Sequence, residues 1–317
     1  MRYTQTGMSK LLLYLDQSFV SGMAKGRPPH MRKLYDVLAP LVDDDTVVCP
    51  RSVVHDQETD LDDRISDAVH RIIRELAGGV SFRTYEEVLG GQLDRACLRY
   101  LGLPGEDEGA WEHAFDVDPR AGLRRPRVDV RIKSPEEWAE GTRAMKDRVL
   151  SVRTNQSSVH GTRVTTHRWR GTLDDLVEPQ FGGIIQCNFN SQSELAMRLA
   201  LTIVTLTPEA KRRENPDLLA EFLDSAQLRA IPIFNIWANL EAGFLYHEAN
   251  RVPRASDVFD QMALSLVLPY VDIATMDQSM KGMAQRLNLD QQYGAEIYSP
   301  TEADVRALIS RLQSLDR

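Results

Sequence analysis

Apolar residues run unbroken from Leu11 to Leu15 and stop at Asp16. A continuous apolar run without polar alternation predicts a strand buried on both faces, as in a parallel sheet, with Asp16 at its carboxyl end. After Gly26-Arg-Pro-Pro29 the period changes: Met31, Leu34, Tyr35 and Leu38 recur at helical spacing. Thr46-Val-Val-Cys49 predicts a second short strand, ended by Pro50, and a helix is expected from about Ser52 with Val53, Val54 and Ile65 as core positions. Strand, helix, strand, helix is the order of an α/β sheet.

The middle of the chain carries weaker periodicity. Residues from about 62 to 118 read as mostly helical, with breaks at Gly78-Gly79 and Gly90-Gly91. Ser134-Pro-Glu-Glu137 has the form of a helix start, with a Ser cap, Pro in the first turn and early acids. Further helices are expected over Glu194 to Leu206, Pro216 to Leu228 and Ile236 to Ala249. The pattern then sharpens. Ser256 is placed to cap a helix through Val267, and Pro269 follows it. Val271-Asp-Ile-Ala-Thr275 predicts a strand leading to Asp277, followed by a helix to about Leu287. Gly294 to Tyr298 predicts a last strand, and Thr301 with Asp304 opens a closing helix in the manner of a capping box.

Composition changes this picture little: 317 residues, 42% hydrophobic and 26% charged, describe an ordinary globular chain. Cys49, Cys97 and Cys187 are scattered, odd in number and form no CxxC pair, which argues against a disulfide framework or zinc ribbon and for a reducing, cytoplasmic setting. Leu11 to Leu15 is too short for a signal-peptide core, and no stretch approaches the ~20 apolar residues of a membrane span. Charge changes it more. The chain carries −8, but residues 120–170 hold thirteen basic residues against five acids, a local net of +8. Arg124, Arg125, Arg127, Arg131, Lys133, Arg168 and Arg170 are the nucleic-acid-binding candidates there, with Trp138 and Trp169 as stacking faces. The competing explanation is a solvated arginine-rich surface or an oligomer interface.

The acids at strand and helix ends carry the chemistry. Asp16 ends the first strand, Asp277 follows a later one, and Asp257 and Asp260 lie one turn apart at a helix opening. In an open parallel sheet, ligands bind beyond the carboxyl ends of the strands. Carboxylates gathered there repel unless a cation neutralises them, and all-oxygen donor sets select Mg²⁺ or Mn²⁺. Alone, each acid has an ordinary explanation as a turn residue or helix cap.

Taken in order, the set resembles the PIN-domain nucleases. Leu11 to Asp16 is similar to their first motif, and Glu58 in Ser52-Val-Val-His-Asp-Gln-Glu58 to their second. Ser256-Asp-Val-Phe-Asp260 is similar to the third, and Ala274-Thr-Met-Asp277 to the fourth, 17 or 20 residues on. The resemblance covers residues 9–60 and 230–317. It implies a three-layer α/β/α fold around a mostly parallel sheet, with residues 61–229 a large, mainly helical insertion bearing the basic segment. It also implies that Asp16, Glu58, Asp257 or Asp260, and Asp277 hold Mg²⁺ or Mn²⁺, activating water to hydrolyse phosphodiester bonds, of RNA by family habit. Ser18, Thr275 and Ser279 are supporting candidates.

Two other classes fit the same residues: a PIN-like module that binds nucleic acid or protein without cleaving, and another metal-dependent phosphohydrolase. The insertion offers a surface for a protein partner or a second copy. His247-Glu248 lacks the second His of a zinc-protease helix, and the glycine pairs at 78–79, 90–91 and 182–183 lack the rest of a phosphate loop.

Overall fold

The computed structural model describes residues 10–52, 66–103, 111–120, 172–191, 193–207, 215, 217–248 and 255–315. In chain order the elements are β1 (Leu11–Tyr14), α1 (Gln17–Lys25), α2 (Pro29–Asp43), β2 (Val47–Val48), α3 (Ser66–Ala77) and α4 (Tyr85–Tyr100). A single 3-10 turn at Trp111–His113 follows, then α5 (Asp174–Ser191), α6 (Ser193–Leu206), α7 (Leu218–Leu223), α8 (Ala226–Arg229), α9 (Pro232–His247) and α10 (Ala255–Val267). The chain ends with β3 (Ile273–Thr275), α11 (Gln278–Arg286), α12 (Leu289–Tyr293), β4 (Glu296–Tyr298) and α13 (Glu302–Gln313). The expected α/β class is found, with a four-stranded, all-parallel sheet. Among the described residues no helix is long and apolar enough to cross a membrane.

Contacts divide the described residues into two compact units. The sheet unit holds residues 10–52, 66–83, 115–120 and 267–315, and the helical unit holds the rest. The motif order predicts a sheet domain over 9–60 and 230–317. By contacts, residues 66–83 and 115–120 join the sheet, and 230–248 and 255–266 group with the helices.

In the sheet unit the strand order is β2-β1-β3-β4. Leu11 pairs with Val47, Leu13 with Ile273, and Ile273 with Glu296. The apolar run explains why β1 is central. Leu11, Leu13 and Leu15 enter one hydrophobic cluster with Phe19 and Met23 of α1, Leu34 and Leu38 of α2, Ile72 and Leu76 of α3, and Val305 and Leu308 of α13. Leu12 and Tyr14 alternate to the other side. There Tyr14 meets Phe82 edge-on at 6.5 Å, Phe82 lies 4.5 Å from Phe115, and Phe115 meets Tyr270 at 6.3 Å.

Part of the segment read as helical instead extends the pairing. Gly78 and Gly79 both adopt positive φ, 56° and 84°, a conformation glycine takes without steric cost. They turn the chain after α3. Ser81 then pairs with Arg51 in parallel, and Phe82 pairs with Phe115 in antiparallel fashion. The helix expected from Ser52 lies outside the described residues up to Ser66. The basic segment after Arg120 and the helix start at Ser134 also lie outside them.

In the helical unit α9 packs on α5, and α4 packs on α6. A capping box opens α4, with Thr84 Oγ1 accepting from Glu87 N and Glu87 Oε2 accepting from Thr84 N. Helix α9 begins at Pro232 behind Ile231, whose side chain cannot cap. Gln92 supplies the acceptor from α4, its Oε1 taking the Ile233 N–H at 3.1 Å. The single helix expected over Pro216 to Leu228 is two short ones. Ser225 interrupts it by capping α8, its Oγ accepting from Leu228 N.

Candidate functional site

Two local rules place the acids. A parallel strand must hand its chain to a helix, and the first turn of that helix leaves N–H groups unpaired. Asp is well suited to accept from them. Asp16 therefore caps α1: its Oδ2 accepts from Ser18 N at 3.1 Å and from Ser18 Oγ at 2.6 Å. Asp277 caps α11, its Oδ1 accepting from Met280 N at 2.6 Å. Both carboxylates sit at positive helix ends, which stabilise negative charge.

Their positions in the sheet make the pair more than two caps. β1 leads through α1 and α2 to β2 on one side, and β3 leads through α11 and α12 to β4 on the other. The strand order therefore reverses between β1 and β3, and Asp16 and Asp277 stand at the carboxyl ends of those two adjacent strands. That is the switch point where open α/β sheets form a ligand crevice. Thr275 joins the two ends: fully buried, it accepts the Asp16 N–H on Oγ1 at 2.7 Å. Asp16 is itself 8% exposed, and Asp277 is half-buried. A small cleft of about 20 Å³ lined by Lys10, Asp45 and Val47 lies by the opposite, amino-terminal ends of β1 and β2. It has room for about one water molecule.

The other expected residues are distributed as follows. Ser18 touches Asp16, and Ser279 lies in the first turn of α11. Asp257 and Asp260 are on α10 in the helical unit, the first 2% exposed and the second half-buried. Glu58 and the seven basic candidates, Arg124, Arg125, Arg127, Arg131, Lys133, Arg168 and Arg170, lie outside the described residues. Among the described residues, no group of three or more His, Cys, Asp and Glu is arranged to hold a metal ion.

The donors at the sheet edge nevertheless suit a hard cation. They are all oxygens, and Asp277 Oδ2 makes no hydrogen bond among the described residues. Mg²⁺ keeps several waters and is commonly held by one or two carboxylates together with substrate phosphates. Asp16 and Asp277 are donors of that kind.

One cluster escaped the sequence reading. Beyond β4, fully buried Ser299 meets Asp304, Thr301 and Gln278, and Asp304 Oδ2 also accepts from Lys281 Nζ at 2.6 Å. Two signals were present: a third strand ending in a polar residue, and Lys281 one helical turn after Asp277. No family model matches the chain, and neither a curated protein nor a solved structure matches it.

Proposed function

We propose that this chain is a metal-dependent nuclease of PIN-like, three-layer α/β/α architecture, hydrolysing phosphodiester bonds of RNA. The observation that carries the reading is the placement of Asp16 and Asp277 at the carboxyl ends of adjacent parallel strands, on either side of the sheet's switch point. A divalent cation bound there would supply Lewis-acid polarisation of a phosphoryl oxygen and an activated water. Asp16 and Asp277 would hold it, and Ser18 would keep the Asp16 carboxylate in one rotamer. Thr275 fixes the backbone of Asp16 against β3. The N–H groups opening α1 and α11 favour a phosphate at the same edge. Glu58, Asp257 and Asp260 enter the proposal from the motif order alone.

The test is cleavage of single-stranded RNA, structured RNA and DNA with Mn²⁺ or Mg²⁺. Cation catalysis is worth several kcal/mol, so Asp16→Asn and Asp277→Asn are each expected to lower the rate by about 100-fold or more. Asp257→Asn and Asp260→Asn then report which of those acids contributes. Equal inactivity of the wild type and Asp16→Asn on all three substrates would sink the reading. Nucleic-acid binding without cleavage would make the chain a binding module, and turnover of small phosphate esters alone would make it a different phosphohydrolase.

A further inference from the structure

Helix α6 carries apolar residues on opposite sides. It packs on α4 and α5, and its Leu199 and Ile203 are buried. Met197, Leu201 and Val204 lie on the other side, at 63%, 58% and 47% exposure. Steps of four and then three residues keep these three in one line along the helix, which is the spacing of a helix–helix seam. A helix that is apolar on both sides is ordinarily covered on both. A contiguous exposed apolar patch marks an interaction surface.

Beside this line runs an open groove of about 530 Å³, with Asp94 of α4 and Arg198 as its two charged lining residues. Gly90 leaves room for the Arg198 guanidinium against α4, since a Cβ there would collide with it. Arg198 Nη2 donates to Asp94 Oδ2 at 2.5 Å, and Thr202 Oγ1 donates to Asp94 Oδ1 at 2.9 Å. The two charges are matched within the chain. The groove therefore offers no net charge to attract a nucleic-acid backbone or an anionic membrane surface.

We propose that this face of α6 is a self-association surface, which takes α6 of a second copy of the chain, antiparallel across a two-fold axis. Charge and spacing choose this occupant. A two-fold interface sets one patch against itself, so a patch of one sign would meet its own sign. The whole chain carries −8, and two copies repel where their acids face one another. The α6 face avoids that: its one acid and one base stay complementary when the patch is turned onto itself. The spacing is symmetric as well. Leu201 lies near the middle of the line from Met197 to Val204. In an antiparallel pair Leu201 therefore meets its own counterpart, and Met197 meets the counterpart of Val204. Three side chains make a small seam, at the weak end of protein interfaces, so the expected dissociation constant is about 10 μM or weaker. In more dilute solution the face stands open.

The experiment is sedimentation of the full chain at concentrations from about 1 μM to about 200 μM. The wild type is expected to pass from the mass of one chain towards that of two. Leu201→Glu places two carboxylates together at the axis and should raise the dissociation constant by about 100-fold or more; Leu201→Lys should do the same with two ammonium groups. Mixed in equal amounts, the two variants should associate again, because the axis then joins opposite charges. Circular dichroism checks that each variant is folded. If a charged variant is not, Leu201→Ala replaces it, with an expected loss of about 10-fold. Recovery in the mixture is the result that only pairing of two copies through Leu201 gives. A wild type with the mass of one chain at every concentration overturns the proposal, whether the face is open or reserved for a different protein. A dimer that a folded Leu201→Glu leaves intact also overturns it, as do mixed variants that stay apart.

Discussion

Both units bury an apolar core, but they place their buried polar side chains differently. In the sheet unit the strands are apolar and buried, and polar groups collect at their carboxyl ends: Asp16, Thr275, Asp277 and Ser299. In the helical unit Gln92, Arg95, Gln180, Glu241, Asp257 and Gln261 are all buried, while Met197, Leu201 and Val204 stand exposed along one face of α6. A strand buried on both faces has no room for a polar side chain, so polar groups move to its ends, where helix N–H groups receive them. Helices can carry a polar residue on an inner face if a partner is supplied, as Gln92 shows by capping α9. The first arrangement concentrates chemistry at one edge. The second spreads it through the interior.

The largest expected effect tests the sheet side of this contrast. Leu13 is fully buried in the middle of β1. Truncating it to Ala removes contacts on both the cluster and its neighbours, and should cost about 3 kcal/mol within the usual range for buried Leu. Leu201→Ala, at a position 58% exposed on α6, should change stability by less than about 0.5 kcal/mol. Chemical denaturation of the two variants checks the pair. Similar losses would mean that the α6 face is covered in solution.

The same contrast explains what could be read from the sequence. β1, β3, α11 and α13 announced themselves because an apolar run and an Asp or Thr cap are local signals, whereas α1, between Asp16 and Gly26, was not anticipated. Asp16 and Asp277 were legible for that reason. That they would meet was expected from the order of the motifs and not from any local pattern, since the pairing of Leu13 with Ile273 spans 260 residues. The pairing at Ser81 and Phe82 was hidden too: two residues are too few to show a period of two. The Gln278–Ser299–Asp304 network joins α11 to the end of β4, a meeting that no local pattern encodes.

A smaller effect concerns the buried polar residues of the helical unit. Gln261 on α10 is fully buried, and neither of its amide atoms has a hydrogen-bond partner among the described residues. Burying an unsatisfied amide costs about 1–3 kcal/mol. Gln261→Met keeps the length and removes that cost, so it should raise stability by about 1 kcal/mol, seen as a higher Tm. A lower Tm would show that the amide has a partner, an ordered water or a ligand, and would make the helical interior less unlike the sheet edge than it looks.

The smallest effect returns to the sheet edge and has a defined pH signature. Burial alone would push the Asp304 carboxyl up, but the hydrogen bonds from Lys281 and Ser299 outweigh it and hold it below the usual aspartate range. A depressed folded-state value means the ionised form is favoured by folding. The contribution is therefore fully present above the unfolded-state value and is lost as pH falls through the folded-state value. The pair is partly solvated and screened, so the contribution should not exceed about 1 kcal/mol. Asp304→Asn should therefore unfold at a lower temperature than wild type at pH 7. The gap should narrow as pH falls below about 4, first as the carboxyl of the unfolded chain gains its proton and then, at lower pH, as the folded carboxyl does and comes to resemble the amide. A gap that stays constant down to pH 2.5 would mean that Asp304 acts by shape and hydrogen-bond count rather than by charge. The ammonium of Lys281 would then not be what holds Ser299 and Gln278 in register.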